Sequence, residues 1–123
     1  MSLVSKWLAE GIEDDDIKTE LALTKAFQEV CEAIMDLLAM TLKDSSVPPT
    51  DNYSNIEKAL NIGVINVDQS MALREANGLR NRLVHMYNGI DMATFVQSAT
   101  KLLPRLEESL EMITGWLQAQ SMK

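Results

Sequence analysis

Residues 71–91 read MALREANGLRNRLVHMYNGID, and our interpretation of the whole chain starts from this stretch. On a helix of about 3.6 residues per turn, one side is apolar. That side carries Ala72, Leu79, Leu83, Met86 and Ile90. The opposite side is mostly polar and carries Arg74, Asn77, Arg80, Asn81, His85 and Asn88. A surface helix of this length usually presents Glu and Lys there. Hydrogen-bond donors and the chain's only histidine indicate a functional surface instead.

The charge distribution restricts what this surface can bind. The chain has a net charge of −7, which argues against broad, non-specific binding to nucleic acid and against DNA as a partner. Residues 71–90 differ from the rest of the chain, because they contain three arginines and only one acidic residue, Glu75. Their local charge is therefore +2, and the remaining residues carry −9. A small basic area on an acidic protein suits one or two phosphates, or an acidic loop.

Length and composition predict one globular domain over residues 1–123. Apolar residues make up 46% of the chain and charged residues 24%. The single Cys31 cannot form an internal disulfide, which favours a reducing, cytoplasmic location. No apolar run approaches the roughly 20 residues that span a bilayer, and no signal peptide is visible, so no membrane association is expected.

Apolar spacing predicts an all-α, antiparallel four-helix bundle with a short N-terminal helical extension over residues 1–13. The first long helix is predicted over 17–43, followed by a proline-containing loop over 45–53. Ser54 is the predicted cap of a short helix that Gly63 closes. Asp68 is the predicted cap of the motif helix over 68–89. Asp91 then caps the last helix, which Pro104 is expected to kink.

Several chemistries are excluded by the residues present. One histidine and one cysteine cannot form a structural zinc site. A di-metal carboxylate bundle needs Glu-x-x-His, but the residue three before His85 is Arg82. No glycine-rich phosphate-binding motif is present, so no cofactor is expected. A Cys31–His85 nucleophilic pair is conceivable, but Cys31 stands in an apolar run, which favours a buried structural cysteine.

Residues 80–87, RNRLVHMY, carry the motif that remains. This motif resembles that of HEPN domains (higher eukaryotes and prokaryotes nucleotide-binding), specifically the HepT-like toxin branch. There the pattern is Arg, four residues, His, one residue, Tyr, with a polar residue favoured after the Arg. The surrounding GLRNRLVHMYNGID extends the resemblance, including Gly78 and the Ile90-Asp91 pair. Helix order extends it more weakly over residues 20–117.

The resemblance implies a homodimer in which two motif helices face each other across a cleft. It also implies a metal-independent ribonuclease that acts as the toxin of a toxin–antitoxin pair. The antitoxin would be a minimal nucleotidyltransferase (MNT), which in some family members transfers AMP to the motif tyrosine. Arg80 and His85 would then be the catalytic pair, with Asn81 in support and Tyr87 as the AMP acceptor. The other polar residues of the helix are predicted to contact RNA phosphates, namely Arg74, Asn77, Arg82 and Asn88.

The chemistry of these side chains is consistent with RNA cleavage. An imidazole titrates near neutral pH, so His85 can accept or donate the proton of a ribose 2′-OH or a leaving 5′-oxygen. The Arg80 guanidinium can stabilise charge on phosphoryl oxygens through two fixed donors. One histidine cannot readily be acid and base in the same turnover, whereas a two-fold dimer supplies two. Arg80 and His85 are also about 140° apart on a helix, so a second subunit would help to enclose the substrate.

Other interpretations stay open at this point. The chain could be a non-catalytic HEPN subunit that binds a nucleotide or an acidic loop, or a structural subunit of a nucleotidyltransferase complex. Tyr87 could be a half-buried interface aromatic, and Arg82 a surface arginine paired with Glu75. Asn81 and Asn88 could satisfy each other or a backbone carbonyl. Gly78 costs about 1 kcal/mol relative to Ala inside a helix, and the close approach of another backbone would explain it.

Overall fold

The computed structural model of the protein describes residues 17–85 and 91–121, and for residues 17–21, 84, 85 and 92 the backbone only. Within these ranges the chain forms four helices and no strand. They are α1 (Ile17–Asp44), α2 (Asn52–Ile62), α3 (Val67–His85) and α4 (Met92–Ser121). The predicted all-α fold is therefore confirmed. The predicted N-terminal extension and the last turn of the predicted motif helix lie outside the described residues.

The two long helices supply most of the core. Their apolar residues recur at three- and four-residue steps, which places them on one face of each helix. On α1 the buried residues of this face are Leu23, Phe27, Cys31, Ile34, Met35, Leu38 and Leu42. On α4 they are Phe95, Ala99, Leu102, Leu103, Leu106 and Ile113. Phe27 and Phe95 meet edge to face, with ring centroids 5.4 Å apart and planes at 89°.

Helix ends depart from the predictions in two places. α2 begins at Asn52, because the side chain of Asp51, not that of Ser54, accepts a hydrogen bond from a first-turn amide. α3 begins at Val67, because Asn66 and Gln69 each accept the other's backbone N–H, which makes Asn66 the cap instead of Asp68. Gly63 closes α2 as predicted, with a left-handed φ of 88°.

The beginning of α4 follows the prediction. The helix starts directly after Asp91, whose carboxylate accepts a hydrogen bond from the Thr94 hydroxyl at 2.8 Å. It continues as one helix through Pro104, and the kink there stays a prediction. No helix in the described ranges is long and apolar enough to cross a membrane.

α3 packs against all three other described helices. α1 does the same, whereas α2 and α4 contact only α1 and α3. The buried surface of α3 is accordingly wider than the single apolar face predicted from the sequence. Ala72, Leu79 and Leu83 are buried as expected, but Leu73 and Ala76 are completely buried as well. The helix that carries the motif is therefore enclosed on more than one side, and only part of its polar surface reaches solvent.

Candidate active site

Arg80 is the centre of the candidate site, and it is held by two neighbours. Its Nη2 donates to Oε1 of Glu32, on α1, at 2.7 Å. Its Nη1 donates to Oδ1 of Asn81, the next residue of α3, at 3.0 Å. The structure therefore brings together two of the predicted site residues, Arg80 and Asn81. It adds a third residue, Glu32, that the sequence analysis did not identify.

The two terminal nitrogens of the Arg80 guanidinium, and not its Nε, are the donors that a ligand could use. The Arg80 side chain is 24% exposed, but Nε is buried and has no hydrogen-bond partner among the described residues. Each terminal nitrogen carries two N–H groups and uses one of them in the contacts above. One N–H of each is left, which is the number that a two-pronged contact with a phosphate requires.

Glu32 is ionised at the pH of ordinary assays. The hydrogen bond from Arg80 is the main cause that lowers the pKa of its carboxyl, and a second hydrogen bond from Gln28 acts in the same direction. Gln28 lies one turn earlier on α1, and its Nε2 donates to the same Oε1 at 3.2 Å. The pair formed by Glu32 and Arg80 is therefore a charged one, fixed to α1 at one end and to α3 at the other.

One predicted RNA-contacting residue requires correction. Asn77 is 2% exposed, and its Oδ1 accepts a hydrogen bond from Nδ2 of Asn52 at 3.1 Å. Its amide thus joins α3 to the first residue of α2 inside the protein. The helical-wheel assignment failed because α3 packs against three helices, so a polar residue away from its main apolar face can still be buried.

The structure describes some of the remaining predicted site residues and not others. Arg74 and Arg82 are both exposed on α3, and neither forms an ion pair within the described residues. The predicted alternative of an Arg82–Glu75 pair is therefore not found there. His85 lies on α3, two positions after the buried Leu83, and is the last residue of the helix within the described range. Tyr87 and Asn88 lie outside the described residues.

Cys31 is a buried structural cysteine. It is 1% exposed, and burial raises the pKa of its thiol to about 12. Its Sγ lies 3.9 Å from the carbonyl oxygen of Ala76, on α3. A thiol that stays protonated is a poor nucleophile, which agrees with the structural role predicted for this residue.

The neighbourhood of Gly78 is open within the described residues of one copy. A Cβ added there would meet the Tyr53 hydroxyl at 3.6 Å, which is ordinary van der Waals contact. Apart from the helix itself, no backbone of the described residues lies within 4 Å of it. The close approach of another backbone at Gly78 therefore stays a prediction.

A surface groove of about 300 Å³ lies between the first half of α3 and the first half of α4. It is lined by Asp68, Met71, Ala72, Glu75, Lys101, Leu102 and Arg105. None of the predicted site residues lines it, and its two acidic and two basic side chains balance in charge. In the described part of the chain, no three His, Cys, Asp or Glu side chains lie together as metal ligands would. The candidate site is therefore identified by its side chains and not by the shape of a cavity.

The contact between Glu32 and Arg80 was not predicted from the sequence. Glu32 lies 48 residues before Arg80, and no motif relates the two positions. The only sequence signal is local, since Gln28 and Glu32 form a polar pair one turn apart beside the apolar stripe of α1. A polar pair next to a core stripe shows that something polar packs there, but not which helix supplies it.

Comparison with known proteins shows which family the chain resembles in sequence. The family model described as Ribonuclease HepT-like matches residues 4–113. A protein of Archaeoglobus fulgidus named "Putative RNase" is 31% identical over 120 residues, which cover 88% of this chain and 91% of that protein. A second protein of the same name and organism is 32% identical over 99 residues, 80% of this chain and 74% of its own. A similarly named protein of Methanocaldococcus jannaschii is 42% identical over 65 residues, 52% of this chain and 75% of its own. No solved structure matches the chain significantly.

Proposed function

Because the chain belongs to the Ribonuclease HepT-like family, we propose that it is a metal-independent endoribonuclease with Arg80 and His85 as its catalytic pair. The observation that supports this most directly is the pair of hydrogen bonds that hold the Arg80 guanidinium. A guanidinium is held by two neighbours, with one N–H left on each terminal nitrogen, five residues before the only histidine on the same helix. Charged N–H donors that are held in place in this way are the groups with which an arginine binds phosphate oxygens.

The reaction follows from the chemistry of the two side chains. The ribose 2′-oxygen attacks the adjacent phosphorus and forms a new P–O bond, while one His85 takes the 2′ proton. The bond from phosphorus to the 5′-oxygen breaks, and a second His85 donates a proton to that oxygen. The Arg80 guanidinium stabilises the charge on the non-bridging oxygens meanwhile. The products are a 2′,3′-cyclic phosphate and a 5′-hydroxyl, and no metal ion takes part.

Two histidines in one reaction require a homodimer, which we include in the proposal. The motif helices of two copies would lie on either side of one cleft, so that each copy contributes an Arg80 and a His85. Arg74 and Arg82, exposed on the same helix, would contact flanking phosphates. Asn77 no longer belongs to this set because it is buried.

Cleavage of RNA in the presence of EDTA tests the function. We expect the purified protein to cut single-stranded RNA in EDTA and to leave cyclic phosphate ends. Arg80→Ala should lower the rate by about 10²–10³-fold, since it removes donors to the transition state. Arg105→Ala is the matched control, as an exposed arginine of α4 outside the site, and should cleave like the wild type. Binding of RNA without cleavage by the wild-type dimer would instead support a non-catalytic HEPN subunit.

The toxin role and the partner belong to the same proposal. We propose that a cognate MNT nucleotidyltransferase acts as the antitoxin and transfers AMP from ATP to the hydroxyl of Tyr87, with release of pyrophosphate. Co-expression with a neighbouring nucleotidyltransferase should then add the mass of one or more AMP units to the intact protein. A shift that persists in Tyr87→Phe would assign the modification to another residue, and an unchanged mass would argue against modification altogether.

A further inference from the structure

We propose that Glu32 is a positioning residue of the active site, which holds the Arg80 guanidinium so that both of its terminal nitrogens face the scissile phosphate. This inference rests on the proposed ribonuclease function and adds to it a residue from a different helix. It concerns a contact of 2.7 Å between Oε1 of Glu32 and Nη2 of Arg80.

The packing of α1 against α3 sets this contact. Cys31 immediately precedes Glu32 and is buried with its Sγ 3.9 Å from the carbonyl oxygen of Ala76. Ala76 lies one turn before Arg80 on α3, and it is completely buried. The tightly packed Cys31–Ala76 contact therefore fixes the register of the two helices directly beside the ion pair. Glu32 reaches Arg80 from a rigid element and not from a mobile loop.

The two contacts of Arg80 act on different terminal nitrogens. Asn81 accepts from Nη1 and Glu32 from Nη2, so the guanidinium is restrained at two points of its plane. An unrestrained arginine side chain loses rotamer entropy when it binds a substrate, and ordering it before the substrate arrives removes that cost from the reaction. Asn81 follows Arg80 directly on the same helix, so Glu32 is the restraint that comes from outside α3.

A carboxylate beside an arginine could also act as a competitor of the phosphate, but the geometry favours a positioning role. Glu32 accepts from one terminal nitrogen only, and does not occupy both. Its Oε1 also accepts from Gln28 on its own helix, which keeps the carboxylate against α1. One N–H on each terminal nitrogen is therefore still available to a phosphate while Glu32 is in place.

The ion pair is present over the whole pH range in which an imidazole could act. The hydrogen bond from Arg80 lowers the pKa of the Glu32 carboxyl below its ordinary value of 4.5, so this group stays ionised well below the pKa near 6.5 of an ordinary histidine. A folded-state pKa below the unfolded one means that the stabilisation is complete above pH 4.5 and is lost as the pH falls through the lowered value. Titration of Glu32 thus does not interfere with catalysis near neutral pH.

Steady-state cleavage of an RNA oligonucleotide by Glu32 variants tests the inference. We expect Glu32→Ala to lower kcat by about 10–100-fold, with a much smaller change in KM, because the guanidinium is misplaced but not removed. Glu32→Gln, which keeps the shape and a neutral acceptor, should lose less. Glu29→Gln is the matched control, as an exposed glutamate of α1 whose ion pair with Lys25 is 4.0 Å long, and should cleave like the wild type.

A double-mutant cycle separates positioning from general damage to the fold. In an Arg80→Ala background no cation is left for Glu32 to orient, so Glu32→Ala should cause no further loss of kcat. An equal loss in both backgrounds would show that Glu32 acts elsewhere and would overturn the inference. Urea unfolding checks that the Glu32→Gln protein is folded. If the alanine variant does not fold, the loss of kcat in the two backgrounds is compared with Glu32→Gln instead.

The remaining outcomes distinguish this inference from the function on which it rests. Wild-type cleavage that Arg80→Ala abolishes and both Glu32 variants retain would overturn the role of Glu32 alone. Faster cleavage or tighter RNA binding by Glu32→Ala would identify Glu32 as a competitor of the phosphate and would also overturn it. Absence of any Arg80-dependent cleavage by the wild type would overturn the proposed function, and the positioning role with it.

Discussion

Replacement of His85 by alanine is expected to lower the rate of RNA cleavage by about 10²–10⁴-fold, the range that general acid–base catalysis contributes. In the proposed dimer the substitution removes both the acid and the base, because the two copies supply one histidine each. The buried Leu79 and Leu83 hold this part of α3 in the core independently of His85. The fold and the dimer should therefore persist. Initial rates with a fluorescent RNA, together with sedimentation of the same samples, measure both.

His85→Gln provides the second arm of this experiment. Glutamine can form hydrogen bonds but does not transfer protons near neutral pH, so it should be as inactive as alanine. Recovery of wild-type activity by glutamine would show that His85 binds the substrate and does not move a proton. Unchanged cleavage by both variants would exclude His85 from the chemistry altogether.

The largest expected effect on stability comes from Phe27→Ala, at about 3–5 kcal/mol in the free energy of unfolding. Phe27 is completely buried on α1, and its ring meets that of Phe95 on α4 edge to face, which adds to the loss from the cavity. A domain of this size is stable by only about 5–15 kcal/mol, so the variant should unfold at much lower urea concentration.

Met40→Ala is the matched control for that measurement. Met40 lies on the same helix but is 60% exposed, and its removal should change the free energy of unfolding by about 0.5 kcal/mol or less. Similar urea midpoints for the two variants would contradict the core assigned here. A midpoint for Phe27→Ala close to that of the wild type would show that the contact between α1 and α4 contributes little.

The two long helices could be predicted from the sequence because their apolar periodicity extends over many turns. The start of α4 after Asp91 agrees with the structure, and α1 is helical from residue 17, the first that the structure describes, through Asp44. The ends of the short elements could not be predicted as well, since several capping residues stand within three positions of one another. Asp51 and Ser54 are both good caps, and the choice depended on which side chain reaches the first-turn amides.

The candidate site was predictable in part, for a related reason. Arg80 and Asn81 belong to a local motif, so the resemblance of that motif to the HepT-like pattern identified them, and the structure shows them in contact. The burial of Asn77 and the contact of Glu32 with Arg80 depend on partners 25 and 48 residues away. Such partners are determined by how the helices pack, and a helical wheel drawn for one helix contains no information about its neighbours.

The position of α3 among the other three helices also bears on how the protein can lose its function. A shift of its backbone would disturb interfaces with α1, α2 and α4 at the same time, so we expect α3 to keep its position when a ligand binds to it. Core substitutions that loosen this packing should displace the site residues on α3, and so should impair function as substitutions of the site residues themselves do. A random search for inactive variants should therefore yield substitutions deep in the bundle alongside those in the motif.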